Sequence, residues 1–370
     1  MRISYLYNSS IPSGNPGSIQ VAKTCEAIIS LSNKVNLIVP YTGLKESLKN
    51  YYGLKLTPNV IKLRLFKSFP TGIKYYLFST LSVIYGIFLK TELFITRNLF
   101  TLFILKLFKK RVIIEIHHDL SVESRIVRFL FYNFDILNSS NIIKIVAITH
   151  AVKKYLIKDL KVDSNKIQVV PSASSINLKF KKLSNNNKYN IGYFGSLEVS
   201  KGSKFITKLS KLDKNNNYFI YGGNVKQVDK FKEKHKNTNL KVSGYIPYSK
   251  VKFYLSKMDI LLMPSNNKLL RSTGGVGNLA KFTSPLKLFD YMASGKLIIA
   301  SNLKVFKEVI KHNENCIIIH NLNIVNWQRV ISKTRKNINM YNKIKKKAYL
   351  LSKQYTYLKR AKKILSDINI

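Results

Sequence analysis

The chain has 370 residues, 45% of them hydrophobic, with 63 Lys and Arg against 18 Asp and Glu for a net charge of +45. That length exceeds what one core usually holds, so two domains are expected, and the apolar fraction is that of a globular protein. No window reaches the roughly 18 uncharged apolar residues of a membrane span; the nearest, Tyr75–Leu89, is too short and reads as a buried or membrane-facing amphipathic helix.

From its first residues, "MRISYLY" reads as a strand, without the basic-then-apolar pattern of a secretory leader, so none is expected. Short β-rich runs then alternate with helical stretches: "RISYLY", "KVNLIVP", "VIKLRLF", "ELFIT", "RVIIEI", "IIKIVAI" and "KIQVVP". This alternation marks a parallel sheet wrapped by helices. The Asn-rich stretch Leu178–Lys188 breaks it and reads as a linker, which sets a first domain at 1–180. A second set follows, "YNIGYFG", "NYFIYGG", "LKVSGY", "DILLMP", "KLIIAS" and "CIIIH", for a second domain at 181–345. A strongly basic tail, 346–370, has the pattern of a terminal helix. The expected class is α/β, two doubly wound domains in tandem. In such sheets ligands bind at the carboxyl ends of the strands, and the cleft between two domains is the default site.

The positive charge runs through both halves. A nucleic acid, an anionic membrane leaflet or a phosphorylated substrate would each answer it; so would compositional drift in a chain rich in Lys, Asn and Ile. No zinc finger, aromatic RNA-binding signature or helix-turn-helix pattern supports nucleic acid. Cys25 and Cys316 lie far apart and outside any metal-type cluster, which fits a reduced, cytoplasmic compartment.

Four stretches carry chemistry. The first, Tyr7–Ile28, is a long Gly/Pro/Ser loop after the first strand that opens a helix near Ser18. It exceeds the usual 2–6 residues of such connections, yet has neither the dinucleotide fingerprint nor a P-loop pattern. The second, "IIEIHHDL", ends a strand in Glu115, His117 and His118. A histidine there either orients an acceptor hydroxyl or is a buried structural group. No metal-ligand spacing and no D-x-D pair occurs, so no metal is expected. In the third, "YNIGYFGSLEVSKG", a strand ends at Gly195, where a ligand can approach the backbone, and Lys201 opens the next helix. The fourth, "TSPLKLFDYMASGKLIIAS", reads as a helix capped by Ser284, with Pro285 first inside it and Gly295 ending it. Leu286, Phe289, Met292 and Ala293 form its buried stripe, while Lys287 and Asp290 share another face. A lysine in the first turn opposes the helix dipole unless an anion sits there too. Either a diphosphate occupies that end, or Lys287 and Asp290 form a solvated ion pair.

These stretches, in this order, resemble the glycosyltransferases of family 4, over nearly the whole chain. "IPSGNPGSIQV" is similar to that family's acceptor loop, "VVPSASSINLKF" to its interdomain segment and "GYFGSLEVSKG" to its phosphate loop. "VSGYIPYSKVKFYLSKMDILLMPS" resembles its base-contacting run, "TSPLKLFDYMASGK" its donor helix, and "YTYLKRAKKIL" its tail helix. The resemblance implies the GT-B fold: two Rossmann-like domains facing a cleft, with a C-terminal helix crossing back to the first. It implies retaining, metal-independent transfer of a hexosyl group from a nucleotide-diphosphate sugar to a carbohydrate or lipid-linked acceptor. The setting it implies is capsule, O-antigen (lipopolysaccharide) or similar surface-glycan synthesis, peripheral on the inner face of the plasma membrane, by a monomer or weak dimer.

Residue by residue, the resemblance makes Asp290 the acid on the ribose hydroxyls. It puts Gly195, Ser196 and Lys201 at the diphosphate, and Thr283, Ser284, Pro285, Leu286, Lys287 and Leu288 around the diphosphate and sugar. Gly244, Tyr245 and Ile246 lie against the base, while Gly14, Gly17 and Ser18 form the acceptor and phosphate loop. His117 stands near the reacting centre, with His118 as the alternative. Four positions depart from the pattern. Asp290 replaces a longer Glu, Phe282 stands where another acid is common, Ser196 where an arginine is common, and Ser175 where an Asp is common. Two other readings compete: a nucleotide-sugar epimerase on the same fold, and a non-catalytic membrane- or nucleic-acid-binding protein that retains it.

Overall fold

The computed structural model describes residues 1–41, 43, 46–64, 70–235, 239–266 and 278–368. The chain forms two compact units, Met1–Ser172 with Tyr357–Ile370, and Ala173–Thr356. In the first unit the strands are β1 (Arg2–Leu6), β2 (Lys34–Pro40), β3 (Asn59–Leu63), β4 (Leu93–Thr96), β5 (Val112–Ile116), β6 (Ile142–Ala147) and β7 (Ile167–Val169). They form one parallel sheet in the order β3-β2-β1-β4-β5-β6-β7. Every residue of β4 and β5 is buried, as in parallel strands covered on both faces by helices. The strand order reverses between β1 and β4. The loops leaving those two strands therefore flank the crevice where such sheets bind ligands.

The second unit holds β8 (Asn190–Phe194), β9 (Asn217–Tyr221), β10 (Leu240–Ser243), β11 (Ile260–Met263), β12 (Leu297–Ser301) and β13 (Ile317–Ile319). Its sheet is parallel in the order β10-β9-β8-β11-β12-β13, reversing between β8 and β11. Two glycines let the loops at this end close on one another. A Cβ at Gly202 (φ +93°) would lie 2.2 Å from the Pro264 carbonyl oxygen, and one at Gly222 (φ +150°) 2.0 Å from that of Gly195. All thirteen expected strands are present, although Leu65 and Phe66 of "VIKLRLF" lie outside the described residues. The Tyr75–Leu89 stretch, all but its capping Leu89, falls in the helix Thr71–Phe88, with Phe78, Ser79, Ser82 and Val83 buried and Leu81, Tyr85 and Phe88 exposed. Among the described residues no helix is long and apolar enough to cross a membrane.

The boundaries differ from the linker reading. Residues from Ala173 onward already belong to the second unit, where Leu183 is a core residue and its N–H donates to Asn342 Oδ1 at 2.6 Å. The basic tail is two helices rather than one. Ile338–Ser352 packs on the helix Leu286–Ser294 and on β12, inside the second unit. Only Tyr357–Ile364 belongs to the first, where it lies against the helix Pro16–Ile29; Asn369 and Ile370 fall outside the described residues.

That short helix is anchored by charge. Glu115, on β5, is fully buried. Its Oε2 accepts from Arg360 Nη2 at 3.0 Å and from Arg97 Nη2 at 2.8 Å, and its Oε1 accepts from Arg360 Nη1 at 3.2 Å. Burial alone would raise the Glu115 carboxyl, but Arg360 and Arg97 together hold it well below the ordinary carboxylate range. Arg360 also donates to Thr24 Oγ1 and to the Pro171 carbonyl, each at 3.3 Å. Breaking a buried pair leaves an uncompensated charge and typically destabilises by about 3–5 kcal/mol. Arg97 stays in place, so Arg360→Ala is expected to cost about 3 kcal/mol, the low end of that range, in urea unfolding. The sign with pH follows from the depressed carboxyl. Its stabilisation is complete above the ordinary carboxylate range and is lost as pH falls through the lowered value, so the acid-side loss should be smaller in the variant than in the wild type.

Candidate functional site

In the second unit β8 delivers the chain to Gly195, whose N–H donates to the Tyr221 carbonyl at 2.9 Å. A Cβ at Gly195 would stand 2.8 Å from the Tyr193 hydroxyl, so this position keeps the backbone bare. Tyr193 Oη donates to the Ser196 carbonyl at 3.0 Å, while the buried Ser196 Oγ has no hydrogen-bond partner among the described residues. The 3₁₀ turn Val199–Lys201 follows; left-handed Gly202 then starts the helix Ser203–Leu212. Lys201 is half-buried, and burial lowers its ammonium, partly opposed by Glu198.

The helix of the fourth stretch runs Leu286–Ser294 and begins one residue later than expected. Pro285, not Ser284, is the capping residue: its extended ψ of 126° makes Leu286 the first helical position. Pro285 supplies no capping side chain, and no acid stands in the first turn. Leu286, Leu288, Phe289, Met292 and Ala293 are buried, and Gly295 ends the helix in the left-handed conformation with its N–H on the Met292 carbonyl. Phe282, Thr283, Ser284 and Pro285 are half-buried on the approach.

Lys287 Nζ lies 4.5 Å from the centre of the Tyr193 ring. Burial first, and the charge of Lys201 second, push its ammonium down to about 7. The solvated Lys287–Asp290 ion pair is absent among the described residues. Asp290 is instead buried, and its Oδ1 accepts from Ser174 Oγ at 2.6 Å and from Tyr248 Oη at 2.9 Å. The i,i+3 spacing put the two side chains one turn apart but did not reveal that Ser174 and Tyr248 hold the acid. Ser175, at the position where an Asp is common, meets the same Tyr248 hydroxyl at 3.4 Å through its Oγ. Gly244, Tyr245 and Ile246 follow β10. Tyr245 N–H donates to the Gly223 carbonyl at 2.8 Å, and this loop leads into the helix Tyr248–Ser256 that carries Tyr248 to Asp290. The result is two cations and a helix end that Pro285 does not cap with a side chain, all favouring an anion. The acid beside them already has donors of its own.

In the first unit the helix after β1 starts at Pro16, two residues before Ser18, so Gly17 and Ser18 lie in its first turn. Ser18 is fully buried and its hydroxyl is engaged within the loop. It donates to the Ser10 carbonyl at 3.0 Å, accepts from Ser13 Oγ at 2.8 Å and lies 3.3 Å from Tyr7 Oη. A Cβ at Gly17 would meet that Tyr7 hydroxyl at 2.8 Å, whereas Gly14 is half-buried in the loop before.

His117 Nε2 is 3.3 Å from Glu115 Oε2. An ionised carboxylate can only accept, so that nitrogen carries the proton. Burial, then the charge of Arg97, push the imidazole down to about 3, which keeps His117 neutral across the physiological range. It can therefore position a group by hydrogen bonding but does not titrate there. His118 faces elsewhere, with Nδ1 2.9 Å from the Asp119 carbonyl and Nε2 3.9 Å from Glu123. Arg97 and Arg360 escaped sequence reasoning. Arg97 directly follows a strand, a usable signal; Arg360, in a tail dense with lysine, has none. Among the described residues no three His, Cys, Asp or Glu side chains gather as a metal-binding group.

With this geometry in view, residues 174–351, within the second unit, match the family model described as glycosyl transferases group 1. No curated protein matches the chain by sequence. Solved structures resemble it over its full length. HepE of Anabaena, in complex with UDP-glucose, is 15% identical with a TM-score of 0.70, covering 98% of each chain. A glycosyltransferase of Rickettsia africae is 16% identical with a TM-score of 0.72, covering 99% of each. WaaG, a glycosyltransferase involved in lipopolysaccharide biosynthesis, is 11% identical with a TM-score of 0.67, covering 99% of this chain and 100% of its own. Likeness at such identities speaks for the fold, and the fold is GT-B, two Rossmann-like parallel-sheet domains. What the comparisons show is thus a GT-B fold, with residues 174–351 of the second unit similar to the glycosyl transferases of group 1.

Proposed function

We propose that the chain is a retaining glycosyltransferase of the family 4 type. It would move a hexosyl group from a nucleotide-diphosphate sugar to a carbohydrate or lipid-linked acceptor. The setting would be cell-surface polysaccharide synthesis, as in capsule or lipopolysaccharide, at the inner face of the plasma membrane, by a monomer or weak dimer. One observation carries this reading: Lys287, in the first turn of a helix whose cap Pro285 has no capping side chain, feels the charge of Lys201, and neither lysine has an ion-paired acid among the described residues. A diphosphate satisfies both ammonium groups and the helix N–H groups at once.

Gly195 and Ser196 give the phosphates a bare backbone, and the unpartnered Ser196 Oγ can donate to one of them. Lys201, Lys287 and the helix start stabilise the leaving nucleoside diphosphate, work that a divalent ion does in other transferases, so no metal is required. Asp290, oriented by Ser174 and Tyr248, receives the ribose hydroxyls; Gly244, Tyr245 and Ile246 flank the base. Thr283 to Leu288 frame the diphosphate and sugar, where Phe282 offers an apolar wall in place of an acid. In the first unit Gly14 and Gly17 border the acceptor, and neutral His117 orients a hydroxyl. The reading assigns no carboxylate as a nucleophile, so transfer would proceed on one face through an oxocarbenium-like state. HepE, a structural neighbour, binds UDP and UDP-glucose, which supports a nucleotide sugar as donor.

Calorimetric titration with UDP and GDP tests the site. A hydrogen bond to a charged group is worth about 1.5–3 kcal/mol, so Lys287→Ala should weaken binding about ten- to a hundredfold without lowering apo stability; unchanged affinity would return Lys287 to a structural role. Lys287 loses its proton as pH rises through about 7, so wild-type affinity should fall from pH 6 to pH 9. Arginine stays charged, so Lys287→Arg should flatten that profile. Hexosyl transfer to lipid-linked acceptors, followed by NMR of the product anomer, should show retention, persist in EDTA and be lost in Asp290→Asn. Inversion or loss in EDTA would contradict the mechanism.

A further inference from the structure

A crevice lies in the second unit at the carboxyl ends of β12 and β13. Asn302 directly follows the first of these strands and His320 the second. The chain between them walls the crevice with the 3₁₀ turn Lys304–Glu308 and a tight turn at 311–316. That tight turn is tied internally: Lys311 N–H donates to Asn315 Oδ1 at 2.7 Å, and Asn313 N–H to the Cys316 carbonyl at 2.9 Å. The space is about 260 Å³, with the buried Ile310 and Ile318 as its floor and Lys307 and Lys311 at its rim. Sites for drug-sized ligands run to roughly 300–1,000 Å³, so this one suits a smaller molecule. None of its lining residues belongs to the set around Lys201 and Lys287, and none is acidic.

Two imidazoles line the crevice, and the fold fixes which nitrogen of each is free. His312 Nδ1 accepts from the Ile318 N–H at 3.0 Å, and His320 Nδ1 accepts from Asn302 Nδ2 at 2.9 Å. A ring nitrogen that accepts carries no proton, so in both rings Nε2 is the N–H. Neither Nε2 has a partner among the described residues, and Lys307 has no ion pair there. Lys311 meets Glu314 at 3.8 Å, with both side chains well exposed. Partial burial, then the nearby His320, lower the His312 imidazole, so it is a neutral donor at pH 7. A metal ion is disfavoured, because ligation needs a lone pair where each ring holds its proton, and two ammonium groups stand at the rim. A wholly apolar guest would use the isoleucines and leave four donors idle. We propose that this crevice is a second ligand site, for a small organic anion. Its phosphate or carboxylate group would be held by the Lys307 and Lys311 ammonium groups and the two Nε2–H groups, and its body would pack on Ile310 and Ile318.

NMR of the full chain isotopically labelled at histidine tests this, since the protein has only six histidines. Phenyl phosphate or benzoate should shift the His312 and His320 signals saturably, with a Kd of about 1 mM or below, and the tighter of the two names the head group. Phenol, the same ring without the charge, should bind at least about tenfold more weakly. Lys307→Ala with Lys311→Ala should weaken the tighter anion by about tenfold or more, with wild-type histidine signals in the free variant as the check on folding. Lys304→Ala, on the same turn but outside the lining, should leave that affinity unchanged. So should Lys287→Ala, which separates this site from the proposed donor site whether or not a nucleotide binds there. No saturable shift with either anion, an equal response to phenol, or wild-type affinity in the double variant would overturn the assignment. Selective broadening of both rings by one equivalent of Ni²⁺ would overturn it too, by making the crevice a metal site.

Discussion

A charge withdrawn from water must meet an opposite charge or a ligand, and the structure turns on how each unit meets that requirement. In the first, Glu115 at the end of β5 is enclosed by Arg97 and Arg360, so the account closes within the protein. The clamp fixes the short helix Tyr357–Ile364 to the sheet, sets the tautomer of His117, and through Arg97 reaches the Gly17 carbonyl at 3.4 Å. In the second, Lys201 and Lys287 are crowded without such closure, and the ammonium of Lys287 is driven toward neutrality. A balanced cluster holds a fold together. An unbalanced one is poised for an anion.

The parallel sheets decide where both clusters lie. Their central strands are buried on both faces, so polar chemistry is displaced to the loops at the carboxyl ends, and the reversal in strand order opens a gap there. Gly195, Gly202 and Gly222 keep the loops of the second unit close without side chains between them. The helix from Leu286 then points its N-terminus into the same region.

Strands were legible because a run such as "KLIIAS" has one reading in a parallel sheet, apolar on both faces between turn residues. Lys287 was legible too, as a cation at the wrong end of a dipole. What one sequence did not carry were contacts made at long separation. Ser174 and Tyr248 are 116 and 42 residues from the acid they orient, and Arg360 is 245 from Glu115. No local period encodes such distances. The helix cap was displaced from Ser284 to Pro285 for a smaller reason: two adjacent residues can each hold extended backbone, and packing selects between them. Ser18 looked like a phosphate-loop hydroxyl, yet its loop folds back and engages it.

The central claim is that one diphosphate joins Lys201, Lys287 and the start of the helix Leu286–Ser294. A crystal structure of the chain with the nucleotide diphosphate that binds it, UDP or GDP, tests this most directly. The account expects phosphate oxygens within about 3 Å of both Nζ atoms and of the first helical N–H groups. A nucleotide bound with its phosphates away from both lysines would contradict it.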